Sequence, residues 1–357
     1  MADQRPDRTV RILSTGTALP GPPIDTEALA ARFGMDRLWR QWVDTFIGTR
    51  TRHLALDLAT GAPRESLADL ATTAAATALT RARVSAEDID LVVLGTATPD
   101  TLMPATVNVV ADRLGIDGIP TFQLQSGCSG AVQTFDVATS LLAAGRSRTA
   151  LVIGGDVIAK HYDVSADLGA LPPEQLVNYV LFGDGAGAAV LTAETPETGE
   201  PGHDDAPVVR TVLTRLTGLG REPGQVLRWY GLADRHRAEA PANEDYKAIE
   251  ELVPELAAEV AEELLDDLGW QRDEVGHLLP PQLSVTMTEK IVKRLDFPLA
   301  DEISVVGDTG NNGNALLFFQ LERLLDVMGP ASRAVAVAIE SSKWICSGLA
   351  LEREPLR

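Results

Sequence analysis

The 357-residue chain sets 31 Lys and Arg against 51 Asp and Glu, a formal charge of −20. That excess of acid argues against nucleic acid and anionic membrane surfaces as partners, because phosphate binding needs clustered cations. The length predicts roughly two structural units with a large buried core, and with 45% hydrophobic but only 5% aromatic residues that core must rest on Ala, Val, Leu and Ile.

No run reaches the ~18–20 apolar residues of a membrane span, and the start "MADQRPDRTVRI" has no secretory apolar stretch, so a cytoplasmic place is expected. In a reducing compartment Cys128 and Cys346 are read as thiols rather than as a disulfide. Along the chain, "SLADLATTAAATALTRA" (66–82) has apolar residues at helical spacing. "DIDLVVLGTAT" (88–98), "RTALVIGGD" (148–156) and "SRAVAVAIE" (332–340) are short, β-branched and continuously apolar, as strands covered on both faces are. "AETPETGEPGHDDAP" (193–207) has no apolar period and reads as an exposed connection. After it, "EDYKAIEELVPELAAEVAEELLDDLGW" (244–270) predicts a long helix with an acidic outer face. The class is α/β.

The two sides of that connection, 1–195 and 206–357, look like versions of one another. "VSAEDIDLVVLGTA" is matched by "WQRDEVGHLLPPQ". "SGCSGAVQTFDVATSLL" with its following strand is matched by "GDTGNNGNALLFFQLERLL" with "SRAVAVAIESS". If an approximate twofold relates the halves, the turns at Cys128 and at Asp308–Gly313 converge on one pocket.

Cys128 sits in "QLQSGCSGAVQTF" (123–135), where a strand gives way to a helix. Ala131, Val132, Phe135, Ala138, Leu141 and Leu142 fall at three- and four-residue spacing, which places the cysteine at the first turn of a buried helix. There the helix dipole and unpaired backbone N–H groups favour a thiolate and offer to hold an oxyanion. A small buried residue would serve packing equally, but packing alone does not call for bare backbone at Gly127 and Gly130.

Five stretches, "VRILSTGTALP", "WVDTFIGTRTRHLA", "SGCSGA", "LFGDGAGAAVL" and "GDTGNNGNA", follow one another in the order of the landmarks of β-ketoacyl-acyl-carrier-protein synthase III. The chain thus resembles that family of the thiolase-like superfamily over essentially its whole length. The resemblance implies a homodimer of duplicated halves in five αβαβα layers, one half carrying Cys128 and the other Asp308. It implies that Cys128 takes an acyl group from coenzyme A or an acyl carrier protein, with no tightly bound cofactor and no metal.

It also implies the remaining site residues. Trp42 stands where the family stacks a tryptophan on adenine, although the arginines expected nearby are Phe46 and Thr286. Met103 and Phe182 fall at the acyl pocket, Met103 reaching it across the dimer. Lys343, with Ser342, replaces glycines of the C-terminal turn, and Cys346 is packing. Two departures matter most. The "PHQAN"-like motif reads "LLPPQLS", with Pro281 at the catalytic histidine and Ser284 at the final asparagine, and proline cannot transfer a proton. The family's asparagine turn reads "GDTGNNGNA", with Asp308 aligned to the catalytic position and Asn311, Asn312 and Asn314 nearby.

Asp308 is therefore expected to act as a base toward an alcohol or amine acceptor, as in the ester-forming acyltransferases of the family. Of the five histidines, His161 runs nearest the expected pocket, while His277 reads as structural. The function expected is an acyltransferase of natural-product assembly that loads Cys128 and passes the acyl group to a small-molecule acceptor as an ester, amide or carbon–carbon bond. The alternatives are a priming β-ketoacyl synthase and a catalytically silent partner of a condensing enzyme.

Overall fold

The computed structural model describes residues 8–195, 205–229, 236 and 242–355. In chain order its strands are β1 (Thr9–Ala18), β2 (Ile24–Asp25), β3 (Thr51–Arg52), β4 (Leu91–Thr96), β5 (Thr121–Gln125), β6 (Thr149–Asp156), β7 (Gly185–Glu194), β8 (Val208–Leu216), β9 (Gln225–Leu227), β10 (Ala242–Glu244), β11 (His277–Leu279), β12 (Asp301–Glu302), β13 (Ser332–Glu340) and β14 (Ile345–Arg353). A continuous ladder runs β12-β11-β13-β14-β8-β1-β7-β6-β4-β5, with β2/β3 and β9/β10 as separate pairs.

The ladder repeats one pattern on each side of its middle. β5–β4 and β4–β6 are parallel, β6–β7 and β7–β1 antiparallel. β12–β11 and β11–β13 are likewise parallel, β13–β14 and β14–β8 antiparallel. Within the ladder the two sets of five join where Arg11 pairs with Val208 and Ile12 N donates to Pro207 O at 2.9 Å.

Strand alternation sorts the apolar side chains into layers. From β4, β6 and β7, Val93, Val152 and Leu191 join Ala336 and Leu349 of β13 and β14 around the helices Gly130–Ala143 and Leu316–Val327. Their neighbours Val92, Leu151 and Val190 face outward to the helix Leu67–Ala82. Val335, Val337 and Cys346 do the same for Tyr246–Leu268 and Val285–Leu295. The result is an α/β fold of five layers in which two inner helices lie between two strand sets. Buried on both faces, these strands read as continuous apolar runs in the sequence.

The expected strands and long helices appear within a few residues of their predicted bounds. The connection at 193–207 differs at its start, because β7 continues through Glu194; residues 196–204 lie outside the described part. Among the described residues no helix is long and apolar enough to cross a membrane.

The inner helices meet through Phe135 and Phe318, whose stacked rings lie 5.8 Å apart and are fully buried. Both strand sets are pinned to that contact. Phe318→Ala should therefore destabilise the protein by about 3–5 kcal/mol through cavity formation. Denaturant unfolding is the check, and a loss under about 1 kcal/mol would show that the inner layer does not hold the two sets together.

Candidate active site

Cys128 does not belong to the helix but to the turn before it. The helix begins at Gly130 with Ser129 as N-cap, and Cys128 keeps part of its surface open to a cavity of about 470 Å³. His161, Tyr162, Tyr179, Phe182, Gly313, Glu340 and Ser342 line the same cavity. Three of these, Gly313, Glu340 and Ser342, come from the second strand set, brought in by the turn that follows β12 and by the end of β13.

The glycines beside Cys128 have a direct physical cause. A Cβ on Gly130 would lie 2.4 Å from Asn314 Oδ1, and one on Gly127 would lie 3.2 Å from the Glu340 carboxyl carbon. Only bare backbone lets those side chains approach so closely. Asn314 is then locked: its backbone N and Nδ2 each donate to Asp156 Oδ2 at 2.8 Å, and Nδ2 also donates to Ser126 O at 2.9 Å. Asp156 Oδ1 accepts from Thr96 Oγ1, Ala97 N, Thr98 N and Thr98 Oγ1 at 2.8–3.1 Å. Asp156 is thus a buried clasp between the strand sets, with its oxygens fully engaged.

Glu340 is the carboxylate that the sequence reading missed. It ends the apolar strand β13, is 5% exposed, and accepts through Oε2 from Ser126 Oγ at 2.5 Å and Ser129 Oγ at 2.7 Å. Ser342 Oγ donates to its other oxygen. The available signal was a charged residue at the carboxyl end of a buried strand, where open α/β sheets place their ligands.

These charges oppose the expected thiolate. Burial first, then the charges of Glu340, Asp156 and Glu244, push the Cys128 thiol up to about 12. A helix N-terminus amounts to only ~+0.5 of a charge, which several buried carboxylates outweigh. The His161 imidazole is pushed down by burial and by Lys160.

A second cavity of about 700 Å³ is lined by Trp42, Phe46, Tyr246, Thr286, Met287 and Lys290. Trp42 and Phe46, on one helix, and Thr286, 240 positions further on, therefore share one wall. Between the cavities stands the β9/β10 hairpin: Gln225 lines the Cys128 side and Glu244 the other, joined by Gln225 Nε2 donating to Glu244 Oε1 at 2.5 Å. Burial pushes the Glu244 carboxyl up to about 7.

Several expected positions lie elsewhere. Asp308 is half-exposed, ion-paired with Arg50 and, at 3.8 Å, with Arg323. Its short helix, Val306–Thr309, ends at Gly310 with φ +69, so the chain reverses before the asparagine turn enters and Asp308 stays outside. Pro281 is buried away from the cavity. Ser284 is fully buried as the N-cap of Val285–Leu295, accepting from Met287 N at 3.2 Å. Lys343 turns outward and donates to Arg221 O at 2.6 Å. Met103 is 87% exposed on the surface. Of the proposed pocket residues Phe182 alone meets Cys128 there, and Cys346 is buried in β14.

Comparison with known proteins identifies this arrangement. The family model for 3-oxoacyl-[acyl-carrier-protein (ACP)] synthase III matches residues 122–203. A solved structure described as "AbyA1 - tetronic acid condensing enzyme" is 61% identical over 96% of this chain and 100% of that one, with a TM-score of 0.91. The chain belongs to the synthase III family. The synthase III FabH of Pseudomonas aeruginosa PAO1 is 26% identical over 98% of this chain and 99% of its own, with a TM-score of 0.80. The priming β-ketosynthase of the R1128 polyketide pathway shares the fold at 22% identity, 100% coverage of both chains and a TM-score of 0.78. This synthase III is thus a thiolase-fold condensing and acyl-transferring enzyme.

Because Asp308 is exposed and answered by two arginines, Asp308→Asn should leave Cys128 acylation and acyl transfer within about twofold of wild type. The lost surface pairing should cost at most about 1 kcal/mol. Single-turnover kinetics with thermal unfolding test this, and a hundredfold loss of transfer in a stable variant would return Asp308 to the mechanism.

Proposed function

We propose that this synthase III loads a 3-oxoacyl group from a carrier-protein or coenzyme A thioester onto Cys128 and passes it to a 2-hydroxyacyl thioester, closing a tetronate-type ring in natural-product assembly. The observation that carries this reading is 61% identity, along the whole length, to a protein described as a tetronic acid condensing enzyme.

The chemistry agrees with the residues present. A tetronic acid is a five-membered lactone whose ring closes through one ester C–O bond and one C–C bond. The hydroxyl of the acceptor attacks the acyl-Cys128 carbonyl and expels the thiolate. The methylene between the ketone and the new ester then attacks the acceptor's thioester carbonyl and expels its thiol. Each step removes a proton, from O–H or from an acidified C–H, and neither releases carbon dioxide. Decarboxylation would call for donors to the enolate oxygen, one of which is worth ~2.7–4 kcal/mol, and Pro281 cannot be such a donor. This disfavours the priming synthase, while a cysteine open to a 470 Å³ cavity disfavours a silent partner. The wall carrying Trp42, Phe46 and Thr286 suits the arm of the incoming thioester.

Incubation with a 3-oxoacyl thioester should add the acyl mass to Cys128 and not to Cys346. Adding a 2-hydroxyacyl thioester should discharge it as a lactone, with no carbon dioxide from malonyl thioesters. Discharge only by malonyl thioesters, with release of carbon dioxide, would replace this reading by the priming synthase.

A second copy of the chain is the partner we propose for the edge strand β5, whose Phe122 is 41% exposed, while Leu102 and Met103 in the connection after β4 are 76% and 87% exposed. Apolar side chains so exposed beside an unpaired strand mark an interface. Sedimentation should give twice the 38.1 kDa chain mass, and Met103→Asp should weaken the association. A monomer at micromolar concentration would refute it.

A further inference from the structure

With proline at the family's histidine position and Asp308 outside, the cavity needs a proton acceptor. We infer that Glu340 is the general base of both half-reactions, acting on the Cys128 thiol and then on the acceptor. The inference rests on the acyl-transfer reading, although not on the identity of the acceptor.

Three observations converge on it. Glu340 lines the cavity into which Cys128 opens, and its carboxyl lies against the backbone of Gly127, the residue before the cysteine. Among the charges acting on the thiol, that of Glu340 is the largest. Its position is fixed by Ser126, Ser129 and Ser342, and Gln133 Nε2 steadies two of these hydroxyls at 2.8 and 2.9 Å. A general base held this way needs no reorganisation as it works. The other titratable groups fit less well. Asp156 has its oxygens taken by six donors, and Glu244 stands behind Gln225 on the second cavity. His161 lines the cavity beside Lys160, and is the rival to be tested.

The protons balance without any other reagent. In acylation Glu340 takes the Cys128 S–H proton as Sγ attacks the thioester carbonyl, and returns it to the departing carrier thiolate. In transfer it takes the acceptor's O–H proton as that oxygen attacks acyl-Cys128, and returns it to the Cys128 thiolate. Ring closure repeats the cycle with the C–H proton and the acceptor's thiol.

The test measures Cys128 acylation by intact mass, and transfer separately, from pH 6 to 9 in wild type, Glu340→Gln, Glu340→Asp and His161→Gln. Glu340→Gln should slow acylation by roughly the 10²–10⁴ of general-base loss. Only free thiolate then attacks, so the residual rate should climb about tenfold per pH unit below the thiol pKa, against a flatter wild-type profile. Glu340→Asp should recover part of the rate, and His161→Gln should keep the wild-type profile. A stable Glu340→Gln variant with wild-type rate and profile overturns the inference, as does transfer of the defect to His161→Gln. If Glu340→Gln fails to fold, Glu340→Asp decides: a carboxylate withdrawn by one methylene should acylate Cys128 more slowly than wild type, and a stable Glu340→Asp variant with the wild-type rate refutes the role. A wrong acceptor would appear instead as normal acylation in wild type with no discharge.

Discussion

The site depends on a close approach of two backbones. The turn bearing Cys128 belongs to the first strand set, and Asn314 and Glu340 belong to the second. They meet because Gly127 and Gly130 leave room that a single Cβ would fill. Any other residue at Gly130 would push Asn314 off Asp156, where its two N–H donors are held at 2.8 Å. That clasp is buried, and an unpaired member would carry the full desolvation penalty of its group. The Phe135–Phe318 contact holds the inner helices in the same relation further along. Site and core therefore share one constraint, the distance between the strand sets.

The electrostatics at Cys128 follow from it. Closing the sets brings buried carboxylates around a thiol, and their charges reinforce what desolvation already does to it. Such a cysteine is protonated at neutral pH and is a poor nucleophile by itself. Acylation then needs a base within the cavity rather than a lowered thiol pKa. Burial and the buried carboxylates here oppose what the helix start offers a thiolate, although the turn geometry that favours one is present.

Much of this was legible in the sequence where a local rule decides the outcome. β4, β6 and β13 are buried on both faces, and their continuous apolar runs show it directly. Cys128 was legible as a site because glycines flank it, and the glycines are now explained by contacts from residues about two hundred positions away. Asp308 misled because a motif alignment records spacing but not chain reversal: the positive φ at Gly310 sends the next residues inward and leaves Asp308 with Arg50. Ser284 misled for a similar reason, since a serine at a motif's end is also a good N-cap, and capping is what it does. Glu340 was passed over as the end of a strand, although a carboxylate after "AVAVAI" has no reason to lie among apolar neighbours unless partners await it.

Replacing a histidine by a carboxylate also changes which reactions are accessible. A protonated imidazole donates to a developing enolate oxygen, whereas a carboxylate repels it, so Glu340 opposes decarboxylation by charge as much as Pro281 opposes it by lacking a donor. The same carboxylate suits acceptors that carry their own acidic proton and never pass through a free enolate bearing full charge at that oxygen. A hydroxyl takes the acyl group as its proton leaves, and a methylene between two carbonyls spreads its charge away from the cavity wall. Under the proposed reaction the choice of acceptor is an electrostatic one, made by the sign of the group beside Cys128 and kept by the serines that hold it there.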